Sequence, residues 1–175
     1  MSKWVTREHV HVDRVACPWL IRRYVDPKAE FIFVSPGKVS EVAKRENAIP
    51  FDTEGAELGH HGKDCSFESI IKKYKIQDPI VHDLAKIVHS ADVQEDIDLS
   101  PEARGLEAIS RGQMFLVKDD HEAIERGAFV YDSLYQYCKY KRLYAERKKE
   151  IDSTPRELRF DILKKLMASP NQEKT

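Results

Sequence analysis

The sequence predicts an α+β fold: a small mixed sheet in the N-terminal half, with strands near residues 4–13, 30–35 and 48–52, packed with a predominantly helical C-terminal half. Three observations carry this reading. Residues 4–13 alternate, with Val10 and Val12 facing one way and His9, His11 and Asp13 the other, the period-two signature of a strand. Phe31–Val34 is a short apolar run, the pattern of a buried strand. Ile124, Ala128, Tyr131, Tyr135 and Cys138 recur every three or four positions and form one apolar stripe along a long helix.

The remaining elements follow from local signals. Pro18 suits the first position of a helix, where its missing N–H costs nothing, which makes Cys17 the cap of a helix running to about Val25. A short helix is expected over Lys38–Glu46 and a strand over Ile49–Asp52. Gly55–Gly62 is the irregular, glycine-rich centre of the chain. Ser66–Lys75 reads as helical, with Glu68 in its first turn. Asp78-Pro79 is a cap followed by a proline start, opening a helix to about Asp92, and Ser100-Pro101 repeats the signal before a helix that Gly112 ends. A long helix spans roughly Asp120–Lys148, and Thr154-Pro155-Arg156-Glu157 opens a last one with a capping-box pattern. One domain is expected over residues 1–168, with an α/β front to about 65, a helical back from about 66, and a loose polar tail over 169–175.

Composition narrows the function classes. The 29 Lys and Arg nearly balance the 30 Asp and Glu, and a net charge of −1 argues against a general nucleic-acid coat. No apolar run is long enough for a membrane helix, and no basic-then-apolar segment marks a signal peptide, so a cytoplasmic protein is expected. Cys17, Cys65 and Cys138 are odd in number and widely spaced, which favours reduced thiols over a disulfide framework.

Four segments can carry chemistry. On a strand, His9, His11 and Asp13 would share a face, a plausible set of ligands for a divalent metal, or simply a solvated face. Cys17 at a helix N-terminus beside Arg14 has the setting of a stabilised thiolate or an oxyanion seat, or is a small buried residue. Around Gly59-His60-His61-Gly62, glycines allow close backbone approach, and adjacent histidines point apart, so one of the two belongs to a site. Cys65 precedes a helix and repeats the thiol argument of Cys17, while Glu68 complements the helix dipole. His89 and Asp92 lie on neighbouring positions of one helix side, and Asp92 borders the apolar stripe, where a carboxylate needs an Arg, a backbone N–H or a metal.

These segments also carry a family resemblance. The run from Trp4 to Arg7 and on through His9-Val10-His11-Val12-Asp13-Arg14-Val15-Ala16-Cys17-Pro18-Trp19 to Arg23 resembles the start of the ChrB-type chromate-resistance domain. Ile49-Pro50-Phe51-Asp52, Glu57-Leu58-Gly59-His60, Cys65-Ser66-Phe67-Glu68, Ala91-Asp92 and Gly105-Leu106-Glu107-Ala108-Ile109 extend the likeness over about residues 3–145. The resemblance implies a chromate-responsive regulator of resistance operons, with Asp13, Arg14, Cys17, His60, Cys65 and Asp92 as its polar positions. Longer members carry a further N-terminal region before this domain; its absence here argues against direct DNA binding.

The leading expectation is a domain that binds a metal ion or an oxyanion in a metal-stress response. In the metal version, His60 and Asp92 are ligands together with His11, His61 or His89, and zinc, manganese and iron all suit imidazole and carboxylate. In the oxyanion version, Arg14 and backbone N–H groups near Cys17 hold chromate or sulfate, with Asp13 and Cys65 close by. The alternatives are a metal- or thiol-dependent redox enzyme using Cys17 and Cys65, and a partner-binding scaffold whose polar cluster only rigidifies the core. A homo-oligomer is compatible with the sequence.

Overall fold

The computed structural model describes residues 1–168. Trp4, Val5 and Thr6 are wholly buried, and the strand that carries them, β1 (Lys3–Arg7), is the centre of the sheet. It pairs in parallel with β2 (Glu30–Val34) on one side and β3 (Ile49–Pro50) on the other, in the order β2-β1-β3, with Trp4 opposite both Phe31 and Ile49. The α+β class is as expected, but the sheet is parallel throughout rather than mixed. The reason lies in the connections: α1 (Val12–Tyr24) separates β1 from β2, and a 3₁₀ turn with α2 (Val39–Glu46) separates β2 from β3. Parallel neighbours need such crossovers, whereas antiparallel ones need hairpins.

The first strand stops at Arg7 and does not reach Asp13. His9 turns into left-handed backbone at φ 61°. The Asp120 carboxylate accepts the N–H groups of His9 at 3.0 Å and Val10 at 2.9 Å. Two donors that a longer strand would spend on a ladder are thereby satisfied from elsewhere. Helix α1 begins at Val12, so Pro18 lies inside it and Cys17 is an interior residue rather than a cap. The alternation over 9–13 therefore marks no strand face, and the local proline signal is overridden because nine residues of α1 are buried from Val12 to Ile21.

The helical part follows its punctuation closely. α3 spans Ser66–Tyr74 and α4 Pro79–Asp92, where the Asp78 carboxylate accepts the Ile80 N–H at 2.8 Å. α5 spans Ala103–Gln113, α6 Asp120–Ser153 with a non-helical residue at Arg147, and α7 Arg156–Ala168. The expected polar tail lies outside the described residues. No described helix is long and apolar enough to cross a membrane.

The chain divides into two compact units, Met1–Asp132 and the part from Ser133 onward, with the boundary inside α6. In the first, α1 packs against α3, α4 and α5. Trp4 meets Phe51 edge-on, and Trp19 lies against Phe67 and Tyr131. The buried Tyr131 hydroxyl donates to the Val12 carbonyl at 2.8 Å, which ties α6 to the start of α1. In the second unit the Lys139 ammonium donates to the Met167 carbonyl at 2.7 Å, joining its two helices.

Two helical glycines make opposite predictions. A Cβ on Gly127 would lie 2.4 Å from Val15 Cγ1, whereas one on Gly105 meets nothing within 4 Å. Gly105→Ala should raise stability by about 0.5–1 kcal/mol through helix propensity. Gly127→Ala should lower it by about 1–2 kcal/mol, because overpacking outweighs the same propensity gain. Urea unfolding of the two variants checks both signs.

Candidate functional site

The three parallel strands end at one edge of the sheet, the edge at which open α/β sheets gather ligands. Arg7 is the last residue of β1, Asp52 lies two residues beyond β3, and Asp13 and Arg14 occupy the first turn of α1. The chain around Asp52 is tightly specified. Its backbone sits at φ 42°, and its N–H donates to the Leu58 carbonyl at 3.0 Å. Gly59 follows with no room for a side chain, since a Cβ there would lie 2.7 Å from the Thr53 carbonyl oxygen. The Ser69 hydroxyl donates to the Gly59 carbonyl at 2.8 Å, and His60 is thereby delivered to the sheet edge.

At that edge a single imidazole nitrogen faces three carboxylates. His60 Nε2 lies 3.2 Å from Asp92 Oδ2, 3.4 Å from Asp52 Oδ1 and 3.7 Å from Asp13 Oδ2. Asp13 and Asp52 are buried, Asp92 is mostly so, and the His60 side chain is 46% exposed, so the cluster opens to solvent on the histidine side.

Each carboxylate is held differently. Asp13 accepts the N–H groups of Ser66 at 2.7 Å and Phe67 at 3.2 Å, the exposed donors at the start of α3. Its own N–H donates to Asp92 Oδ1 at 3.3 Å. Asp52 is braced by cations: Arg7 and Arg14 each donate to Oδ2 at 3.0 Å, Arg7 Nε donates to the Asp52 carbonyl at 2.9 Å, and the Ser66 hydroxyl donates to Oδ1 at 3.1 Å. Among the described residues, His60 is the one ion-pair partner of Asp13 and of Asp92.

The electrostatics follow from that arrangement. Burial, then repulsion from Asp92 and Asp52, pushes the Asp13 carboxyl up to about 8. Burial alone would raise Asp52 as well, but its hydrogen bond to His60 and the charges of Arg14 and Arg7 hold it below the usual carboxylate range. Hydrogen bonds to Asp52 and Asp92 lift His60 to about 10. Arg7 and Arg14 thus offset Asp52, and the imidazolium and a raised Asp13 carboxyl are what hold the remaining pair of carboxylates together.

The other candidates are dispersed. His61 is turned away, its Nε2 bonded to the Glu57 carbonyl at 2.7 Å. His89 is paired elsewhere, with Nδ1 2.8 Å from Glu68 Oε2 and Nε2 2.9 Å from Asp96 Oδ2. His11 is the residue before α1; its Nε2 and the Nε of Arg14 are buried without a hydrogen-bond partner. Burial lowers the His11 imidazole below its ordinary value. His9 is in the turn before α1 and takes no place in the cluster.

Cys17 is wholly buried in α1, and its thiol donates to Asp13 Oδ1 at 3.6 Å. Burial and the Asp13 charge push this thiol well up, the opposite of the stabilised thiolate expected at a helix end. Cys65 is buried and is likewise raised by burial and by Asp13.

Two participants were missed from the sequence, Asp52 and Arg7. The available signal for Asp52 was an acidic residue directly after a short strand in a glycine-rich stretch, a position that reads equally well as a turn.

Residues 4–138 match the family described as ChrB, C-terminal domain. The chain is 34% identical over 138 residues to Protein ChrB of Cupriavidus metallidurans, an alignment covering 77% of this chain and 40% of that protein. The chain therefore spans well under half the length of this relative. No solved structure matches it. Asp13, Asp52, His60 and Asp92 all lie within the matched residues, and this chain belongs to the ChrB C-terminal domain family.

Proposed function

We propose that this chain serves chromate resistance by holding a divalent metal ion at the Asp13–Asp52–His60–Asp92 cluster. Membership of the ChrB family supports the resistance role. The metal reading rests on one observation: Asp13, His60 and Asp92 offer ligand atoms within 4.8 Å of one another. A divalent ion there takes the place of the His60 proton between the two carboxylates. Two carboxylates and an imidazole suit manganese, iron or zinc. Asp52, braced by Arg7 and Arg14, faces the same His60 nitrogen at 3.4 Å and stands as a further carboxylate beside the ion. The exposed side of His60 leaves open coordination positions, so an ion here is reachable by small molecules.

The geometry disfavours the oxyanion alternative. The N–H groups at the start of α3 that would bind an anion already hold the Asp13 carboxylate. Arg14 is committed to Asp52 and to the His9 carbonyl at 3.0 Å. Burial of Cys17 and Cys65 likewise weakens a thiol route to chromate reduction.

Elemental analysis of the purified protein tests the reading. Wild type should carry about one equivalent of manganese, iron or zinc, and His60→Ala and Asp92→Asn should carry none. Saturation at a hundredfold Kd stabilises a fold by about 2.7 kcal/mol. That is roughly 5–10 °C in Tm for a chain of this size. A wild type whose Tm ignores all three metals would overturn the proposal.

In the metal-free protein a proton does part of the ion's work, and this sets a pH dependence. His60 is raised from 6.5 to about 10. Its stabilising contribution is therefore complete below pH 6.5 and is lost as pH rises through about 10. The stability difference between metal-free wild type and His60→Gln should be widest near pH 6 and close by pH 10, as read by urea unfolding. A difference independent of pH would mean that His60 is not held as a cation.

A further inference from the structure

The start of α3 carries a second constellation besides the one that includes Asp13. Cys65, the residue before the helix, is fully buried. Glu68 in the first turn accepts the Cys65 N–H through Oε2 at 3.0 Å and meets His89 Nδ1 through the same oxygen at 2.8 Å. Cys65 Sγ, a Glu68 oxygen and a His89 nitrogen all lie within 4.8 Å of one another. The imidazole has its far nitrogen, Nε2, on Asp96 at 2.9 Å, with the His89 side chain only 14% exposed.

We infer that Cys65, Glu68 and His89 form a second metal site, of the thiolate-containing zinc class, distinct from the carboxylate cluster around His60. Three arguments carry it. The donor set is one soft sulfur, one imidazole and one carboxylate, the combination that selects zinc-like ions over magnesium or calcium. A carboxylate behind the imidazole is the recurrent second partner of a metal-bound histidine: with Nε2–H donating to Asp96, Nδ1 faces Glu68 and Cys65 and, once its proton is displaced, offers its lone pair to an ion. The spacing is close to what an ion requires, since tetrahedral zinc holds such ligand atoms roughly 3.3–3.6 Å apart. From within 4.8 Å, a contraction of about 1 Å reaches that spacing. The ion replaces the protons on Sγ and Nδ1, and the partly exposed edge at Glu68 leaves its fourth position to water or a small ligand. Asp13, which bonds the Ser66 and Phe67 N–H groups, does not enter this ligand set.

This site is independent of the proposal for His60, and cobalt(II) added to the full, metal-stripped chain separates the two. Thiolate bound to cobalt gives a charge-transfer band in the near ultraviolet that carboxylate and imidazole do not. The band should appear at one equivalent in wild type and in His60→Gln, and vanish in Cys65→Ser. Asp96→Asn should keep the band but weaken affinity by roughly 10–100-fold, as loss of such an orienting group does. Should Cys65→Ser fail to fold, the Cys17→Ser, Cys138→Ser double variant leaves Cys65 as the one thiol, and the band must persist in it. No thiolate band in wild type, or an undiminished one in Cys65→Ser, overturns the inference and leaves His89 as an imidazolium paired with Glu68 and Asp96.

Discussion

The Asp13 carboxylate, 1% exposed, is the constraint on which the functional half of the molecule depends. It issues from the first turn of α1 and closes on the first two N–H groups of α3, joining two helices that are far apart in sequence. A helix end leaves donors that must find partners, and a buried end cannot use water. Asp13 meets that demand, but in doing so it places a carboxylate where burial disfavours its charge. Removing it would leave two buried donors unmatched. Keeping it requires a positive charge nearby, and that need organises the surrounding residues.

The response is a layered charge arrangement at the C-terminal edge of the sheet. Arg7 and Arg14 are spent on Asp52 rather than on Asp13. His60 reaches in from a loop whose path is set by the cramped Gly59 and the Ser69 hydroxyl. Asp92 arrives from the last turn of α4 and accepts the N–H of Asp13. Four separate segments thus converge on one imidazole nitrogen. Each added buried charge costs more than it returns unless a cation joins it, and here Arg7, Arg14 and His60 stand against three carboxylates. The half-exposed imidazole is the one of the three whose proton the proposed ion would replace.

Elements with strong local punctuation were legible in the sequence. The Asp78-Pro79 start of α4 was placed to the residue and its end approximately, because capping is a short-range interaction written in adjacent side chains. That His60 and Asp92 belong to a polar cluster was legible for related reasons: glycines flank one, and the other is a carboxylate bordering an apolar stripe. The segment 9–13 was misread because alternation is compatible with any chain whose alternate residues are buried. The Asp120 bonds that bend it come from more than a hundred positions away. Cys17 was misplaced for the same reason, since Pro18 fits a helix start locally while packing extends α1 past it.

By itself, then, the sequence determined the α+β class, most helix limits, the family and a short roster of polar residues. These rest on periodicity, capping and motif, which act over a few positions. The tertiary structure alone decided that the strands run parallel, that Asp52 joins the site with Arg7 behind it, and that His61 points away. It also decided that His60 and His89, both candidates for one centre, belong to two different groups of side chains. The physical reason is that burial and pairing of charge depend on which segments meet, and at this sheet edge the partners lie some 40 to 80 positions apart.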